Sequence, residues 1–149
     1  MLNADNIKNI RIKENKSQEE VAKLLNVSRS SFAMWKSGNE IIPIKRLIDF
    51  CEIFNTSIDY IFKLNNLNNY QLNKYDQAKS MSRLKEFRKE QKLTQEKLAS
   101  ILNTNKSVIC GYEKGRYIIA TPFLYTTCYK SHISADYLLG KIDKPKYLK

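Results

Sequence analysis

Glycine is scarce in this chain, with four in 149 residues, at positions 38, 111, 115 and 140. They are too scattered to form a glycine-rich loop that cradles a phosphate. Histidine is scarcer still. His132 stands without a local pattern of acidic or nucleophilic partners, which argues against a base or a metal ligand. The three cysteines, Cys51, Cys110 and Cys128, have neither metal-ligand spacing nor the even count of a disulfide framework, and read as small core residues of a reducing compartment. No run of 18 apolar residues exists, and residues 1–14 lack the apolar stretch of a signal peptide. The expectation is a cytoplasmic protein away from membranes, with no catalytic residues, no metal and no cofactor. Acid pairs such as Glu19 and Glu20 are read as helix N-terminal charges, which the helix dipole favours.

What the chain does have is a repeat. Residues 7–63, shifted by 77, fall without a gap on residues 84–140, and 16 of the 57 pairs are identical. Arg11/Arg88, Gln18/Gln95, Ala22/Ala99, Gly38/Gly115, Cys51/Cys128 and Asp59/Asp136 are among them. Others keep their character, such as Ser17/Thr94, Arg29/Lys106 and Trp35/Tyr112. One supersecondary unit has been duplicated. Positive charge is the second excess. The formal net charge is +11, with 10 basic against 8 acidic residues over 1–64, and 14 against 6 over 81–149. An excess of that size favours polyanions, nucleic acid first and acidic membrane surface second.

Each repeat reads as five helices joined by short turns. Ser17 and Glu20 have the spacing of a capping box and open a second helix. Asn26 and Val27 turn the chain, and Ser28 suits the N-cap of a third helix carrying Phe32 and Trp35 on one face. Gly38 ends it. Pro43 suits the start of a fourth, with Leu47, Ile48 and Cys51 as its buried stripe, and Thr56 or Ser57 can cap a short fifth. Thr94, Asn105, Gly115, Pro122 and Ser134 mark the same plan in repeat 2. The expected division is a domain over 1–64, an Asn-rich linker or connecting helix over 65–80, a domain over 81–142 and a basic tail over 143–149. Leu67, Tyr70, Leu72 and Tyr75 argue against a merely flexible linker. As free coil the 15 residues from Asn65 to Lys79 would span about 20 Å, and fully extended about 50 Å. The apolar pairs Ile41-Ile42 and Ile118-Ile119 read as contacts between domains or chains, or as core.

The stretch Ser-Gln-Glu-Glu-Val-Ala-Lys-Leu-Leu-Asn-Val-Ser-Arg-Ser-Ser-Phe-Ala-Met-Trp-Lys-Ser-Gly, Ser17 to Gly38, resembles the helix-turn-helix of the Cro and phage-repressor family, also called XRE-like. Leu93-Thr-Gln-Glu-Lys-Leu-Ala99, Tyr112-Glu-Lys-Gly-Arg116 and Asp136-Tyr-Leu-Leu-Gly140 are similar to it again. The resemblance implies an all-α protein of two tandem five-helix lambda-repressor-like domains that binds double-stranded DNA. It makes 28–37 and 105–114 the recognition helices, whose N-terminal residues reach base edges in the major groove. By that resemblance Arg29, Ser30 and Met34 face bases in repeat 1, and Lys106, Ser107 and Gly111 occupy the same positions in repeat 2, Gly111 without a side chain to offer. Gln18, Ser31 and Lys36, with Gln95, Lys114 and Arg116, are the expected phosphate contacts.

Arg88 and Glu113 match a structural ion pair of the family, whereas their counterparts Arg11 and Lys36 cannot pair. The function implied is a sequence-specific transcriptional regulator, expected to repress by covering promoter DNA. The alternative from another class is an interaction protein, antitoxin-like or a phage-encoded inhibitor, with one repeat on DNA and the other on a protein. Pairing with a second copy of the chain is open under either reading.

Overall fold

The computed structural model describes residues 5–66 and 71–148, and they form ten helices in two compact units, residues 1–72 and 73–149. In unit 1 the helices are α1 (Asp5–Lys13), α2 (Gln18–Leu24), α3 (Arg29–Ser37), α4 (Ile44–Ile53) and α5 (Ile58–Ile61). In unit 2 they are α6 (Gln77–Glu90), α7 (Gln95–Ile101), α8 (Lys106–Glu113), α9 (Thr121–Ser131) and α10 (Ala135–Leu138). The architecture is all-α, two tandem helix-turn-helix domains of five helices each.

The helices begin where the caps put them. Ser17 accepts from the Glu20 N–H at 3.0 Å while its own N–H donates to Glu20 Oε1 at 2.9 Å, so two amides left over at the start of α2 are satisfied together. Ser28, Ser57, Asp76, Thr94, Asn105 and Ser134 cap α3, α5, α6, α7, α8 and α10 by the one-way bond alone, each side chain accepting from the N–H three residues on, each such cap being worth about 1 kcal/mol. The turns are equally regular. Left-handed backbone occurs at Asn15, Asn26, Gly38, Asn55 and Lys63, and again at Lys92, Asn103, Gly115, His132 and Gly140, each shifted by 77. The duplication is thus written in the backbone as well as in the side chains. At three of the five pairs an asparagine occupies at least one position, as its tolerance of this conformation would favour.

Periodic apolar residues close each unit around its own core. Val21, Leu25, Phe32, Leu47, Cys51 and Ile58 are sealed in unit 1, as are Leu102, Ile109, Leu124, Cys128 and Leu138 in unit 2. Burying one such large side chain is worth about 1.5–3 kcal/mol. Of the isoleucine pairs, Ile42 and Ile119 are core, while Ile41 is exposed.

Unit 2 takes in more chain than its repeat. Within the segment expected to be a linker or connecting helix, Gln77 to Ser80 form the first turn of α6, and the residues before them dock. The Asn73 N–H donates to the Lys141 carbonyl at 2.8 Å and the Asp76 N–H to that of Leu139 at 3.0 Å. Leu67 and Tyr70 lie outside the described residues. Residues 143–148, within the expected basic tail, fold back on unit 2. Ile133 and Tyr147 form an antiparallel bridge, and the N–H groups of Ser134 and Leu148 donate to the carbonyls of Lys146 and His132. Arg83 of α6 fastens this closure. It donates to the carbonyls of Tyr137 and Ile142 and to Asp143 Oδ1, all at 2.6–2.7 Å, and lies over the Tyr137 ring. Lys146 reaches Glu90 at 2.7 Å, so part of the positive charge counted at this end is neutralised locally.

Candidate nucleic-acid interface

In each unit the second and third helices pack together, α2 on α3 and α7 on α8, with Trp35 and Tyr112 turned into the core. That leaves the N-terminal turn of α3 and of α8 outward. Arg29 and Ser30 are exposed on α3, and Met34, one turn further on, is 38% exposed. The Ser28 hydroxyl accepts from the Ser31 N–H and lies within hydrogen-bonding distance of the Ser30 and Ser31 hydroxyls. Ser31 is half-buried and therefore less available than its neighbours. On α8, Lys106 and Ser107 are exposed, and Lys106 faces Glu96 across 3.8 Å with both side chains mostly in solvent. Such an exposed pair is weak and leaves the lysine available. Lys114 and Arg116 are exposed on either side of Gly115.

The two units differ where helix 1 meets the end of the recognition helix. Arg88 Nε and Nη2 donate to the two carboxylate oxygens of Glu113 at 2.6 and 3.0 Å, and Nη1 donates to the Leu93 carbonyl at 2.9 Å. The hydrogen bonds to the Glu113 carboxylate hold the Arg88 guanidinium above its ordinary pKa. Gln95 donates to the same carboxylate at 3.1 Å, which engages part of the amide expected at a phosphate. In unit 1 the Arg11 guanidinium keeps only the matching carbonyl bond, Nη1 to Lys16 at 2.8 Å, and its buried Nε has no hydrogen-bond partner among the described residues. Lys36, half-buried, stands where Glu113 would be. The Gln18 side chain bonds no described residue and is half-buried at the start of α2.

Gly111 is not an open backbone position. It is buried, and a β-carbon there would collide with the ring of Tyr117. Tyr117 comes from the loop after α8, meets Tyr112 edge to face with 6.3 Å between ring centres, and remains 58% exposed. An aromatic ring from the loop therefore covers the place where α3 carries Met34. Reading along the helix alone missed it, because the covering residue is six positions away. The one available signal was the coincidence of a helical glycine with a nearby tyrosine. Gln77 and Met81 were also missed. The Gln77 amide donates to the Gly115 carbonyl at 2.7 Å, and Met81 packs where a Gly115 side chain would be, so α6 supports the loop that carries Lys114 and Arg116.

Among the described residues no three His, Cys, Asp or Glu side chains converge as a metal site would require, and no helix is long and apolar enough to cross a membrane. The packing of α2 on α3 and of α7 on α8, with a capped turn opening the second helix of each pair, defines the class of protein: one built of helix-turn-helix domains. A helix-turn-helix domain family matches the chain twice, over residues 4–75 and 81–144, and the chain belongs to that family, of XRE type, in two tandem copies. Comparison with curated proteins and with solved structures returns no match.

Proposed function

We propose that the protein is a sequence-specific transcriptional repressor that lays α3 and α8 into the major groove of double-stranded DNA. The observation carrying this reading is the exposed N-terminal turn of each of those helices, with Arg29 or Lys106 one residue past the cap. An arginine there can donate in bidentate fashion to guanine O6 and N7, and serine is permissive, so Arg29, Ser30 and Met34 read bases in one half-site and Lys106 and Ser107 in the other. Gln18, Ser31, Lys36, Gln95, Lys114 and Arg116 fix position on phosphates and carry no sequence information. Of these, Lys114 and Arg116 are the most open.

Because the recognition residues differ between repeats, the site of one chain is asymmetric. The two engagements reinforce each other through their covalent connection, which can give an effective concentration in the millimolar range. Selection of bound sequences from random DNA, with the intact chain and with Arg29→Ala, tests the proposal. A bipartite, asymmetric site is expected, with Arg29→Ala losing preference at one base pair by about 1–3 kcal/mol. A palindrome would instead mean two chains pairing like repeats across a twofold axis. No enrichment at all would overturn the reading.

A second reading gives unit 1 to a protein partner. It is favoured by that repeat's small net charge, +2 over residues 1–64, and by the exposure of Ile12, Leu24, Ile41 and Ile53. DNA affinity indifferent to every base contacted by α3, with all of its salt dependence traced to repeat 2, would decide for it.

A further inference from the structure

The two repeats fill one part of their cores differently. In unit 1, Phe50 is wholly buried on α4 and Phe54 follows at its C-cap, their ring centres 4.9 Å apart. Shifted by 77, these positions are Thr127 and Ser131 in unit 2. Two rings are removed, and of the aromatic residues that unit 2 gains elsewhere only Phe87, which matches Ile10, lines the space. What remains is a pocket of about 170 Å³. Phe87, Leu98 and Leu102 make it apolar, and Thr126, Lys130 and Ser131 give it a polar side. A smaller void of about 20 Å³ adjoins it and shares Thr127 and those three apolar residues, so the core is incomplete at this point. Protein interiors are otherwise close-packed, and an apolar cavity of roughly 150 Å³ is enough to hold a benzene ring.

We propose that this pocket binds a small aromatic carboxylic acid. Its ring takes the place that the phenylalanines fill in the duplicate, and its carboxylate meets Lys130, which stands where unit 1 has Ile53. The wall suits such a guest. The Ser131 hydroxyl already donates to the Thr127 carbonyl at 2.6 Å, so it does not require water in the pocket. Ile101 is 47% exposed beside the pocket, leaving the opening through which a ring can enter. The lining residues belong to α6, α7 and α9 and to the turns after α6 and α7, with none from α8. The outward turn of α8, at Lys106 and Ser107, lies outside the pocket, and the inference stands apart from the DNA-binding proposal.

Benzoate is the probe, added to the intact chain and followed by backbone amide shifts. Saturable shifts are expected at Leu98, Ile101, Thr127 and Ser131, with none from acetate. At tenfold its dissociation constant, benzoate should raise the melting midpoint of this unit by roughly 5–10 °C. Lys130→Ala should weaken benzoate about two- to fivefold, the range of an exposed ion pair, and leave uncharged benzyl alcohol unaffected. Thr127→Phe restores the duplicate's own residue and should abolish binding while raising the melting temperature. If that variant folds poorly, Ser131→Phe, at a half-buried position, blocks the pocket with less disturbance of the core. Absence of saturable shifts, an equal response to acetate, or undiminished binding in Ser131→Phe would overturn the proposal.

Discussion

Arg88 holds both carboxylate oxygens of Glu113, while Arg11, placed by the same carbonyl bond in the other repeat, has Lys36 in the equivalent position. The pair in unit 2 ties the first helix to the end of the recognition helix, with both side chains nearly buried. Unit 1 has the socket without the anion. Its unpartnered Nε is a cost to folding, because a buried donor without an acceptor loses its hydration and gains nothing in return.

Lys36→Glu should accordingly repair unit 1. The new carboxylate would meet Arg11 as Glu113 meets Arg88, and the expected gain is about 1–3 kcal/mol, the range for hydrogen bonds to charged groups. Urea denaturation of the variant checks it. The reverse change, Glu113→Lys, leaves Arg88 facing a cation and should cost about 3–5 kcal/mol.

Replacing both Lys114 and Arg116 by alanine should weaken binding to every DNA sequence alike. The slope of log affinity against log salt should fall by about 0.9 for each phosphate that is no longer neutralised. Titrations at several salt concentrations measure this directly, and an unchanged slope would remove these residues from the interface.

Gly111→Ala sets two effects against each other. Helix propensity favours alanine by about 1 kcal/mol, but the added carbon must displace the Tyr117 ring. Since that ring is 58% exposed it can swing aside, so stability should change little. The change should appear in DNA recognition. Tyr117 stands over the position equivalent to Met34, so Gly111→Ala and Tyr117→Ala should alter preference at the same base pair. A decrease that is uniform across sequences would place Tyr117 on a phosphate instead.

Acid should open the C-terminal closure before it unfolds the core. Hydrogen bonds from Arg83 and then Lys79 hold the Asp143 carboxyl below its usual range, and the bond from Lys146 does the same for Glu90. A carboxylate whose folded value is depressed stabilises the fold fully above its unfolded value, about 4, and loses that contribution as pH falls through the folded value. The amide shifts of Ser134 and Leu148 should therefore hold steady from neutrality to about pH 4 and move below it. Movement near neutral pH would mean that other groups govern the closure.

The sequence determined whatever is local or repeated at a fixed interval. Caps such as Ser17 with Glu20 act over three residues. The turns at Asn26 and Asn103 depend on the residue that occupies them, and the apolar stripes follow the helical period. The family resemblance implied Arg88 and Glu113 as partners, and the register of 77 then set Arg11 with Lys36 as the broken pair. Tertiary structure decided what depends on residues with no shared period. Tyr117 covers Gly111 because the loop after α8 returns across the helix. Residues 73–76 and 143–148 join unit 2 because backbone groups at 132–141 accept or donate to them, and backbone hydrogen bonds leave no mark in side-chain identity. The pocket beside Thr127 followed the same rule, since the chain names the missing rings but only packing shows whether a neighbour such as Phe87 fills their space.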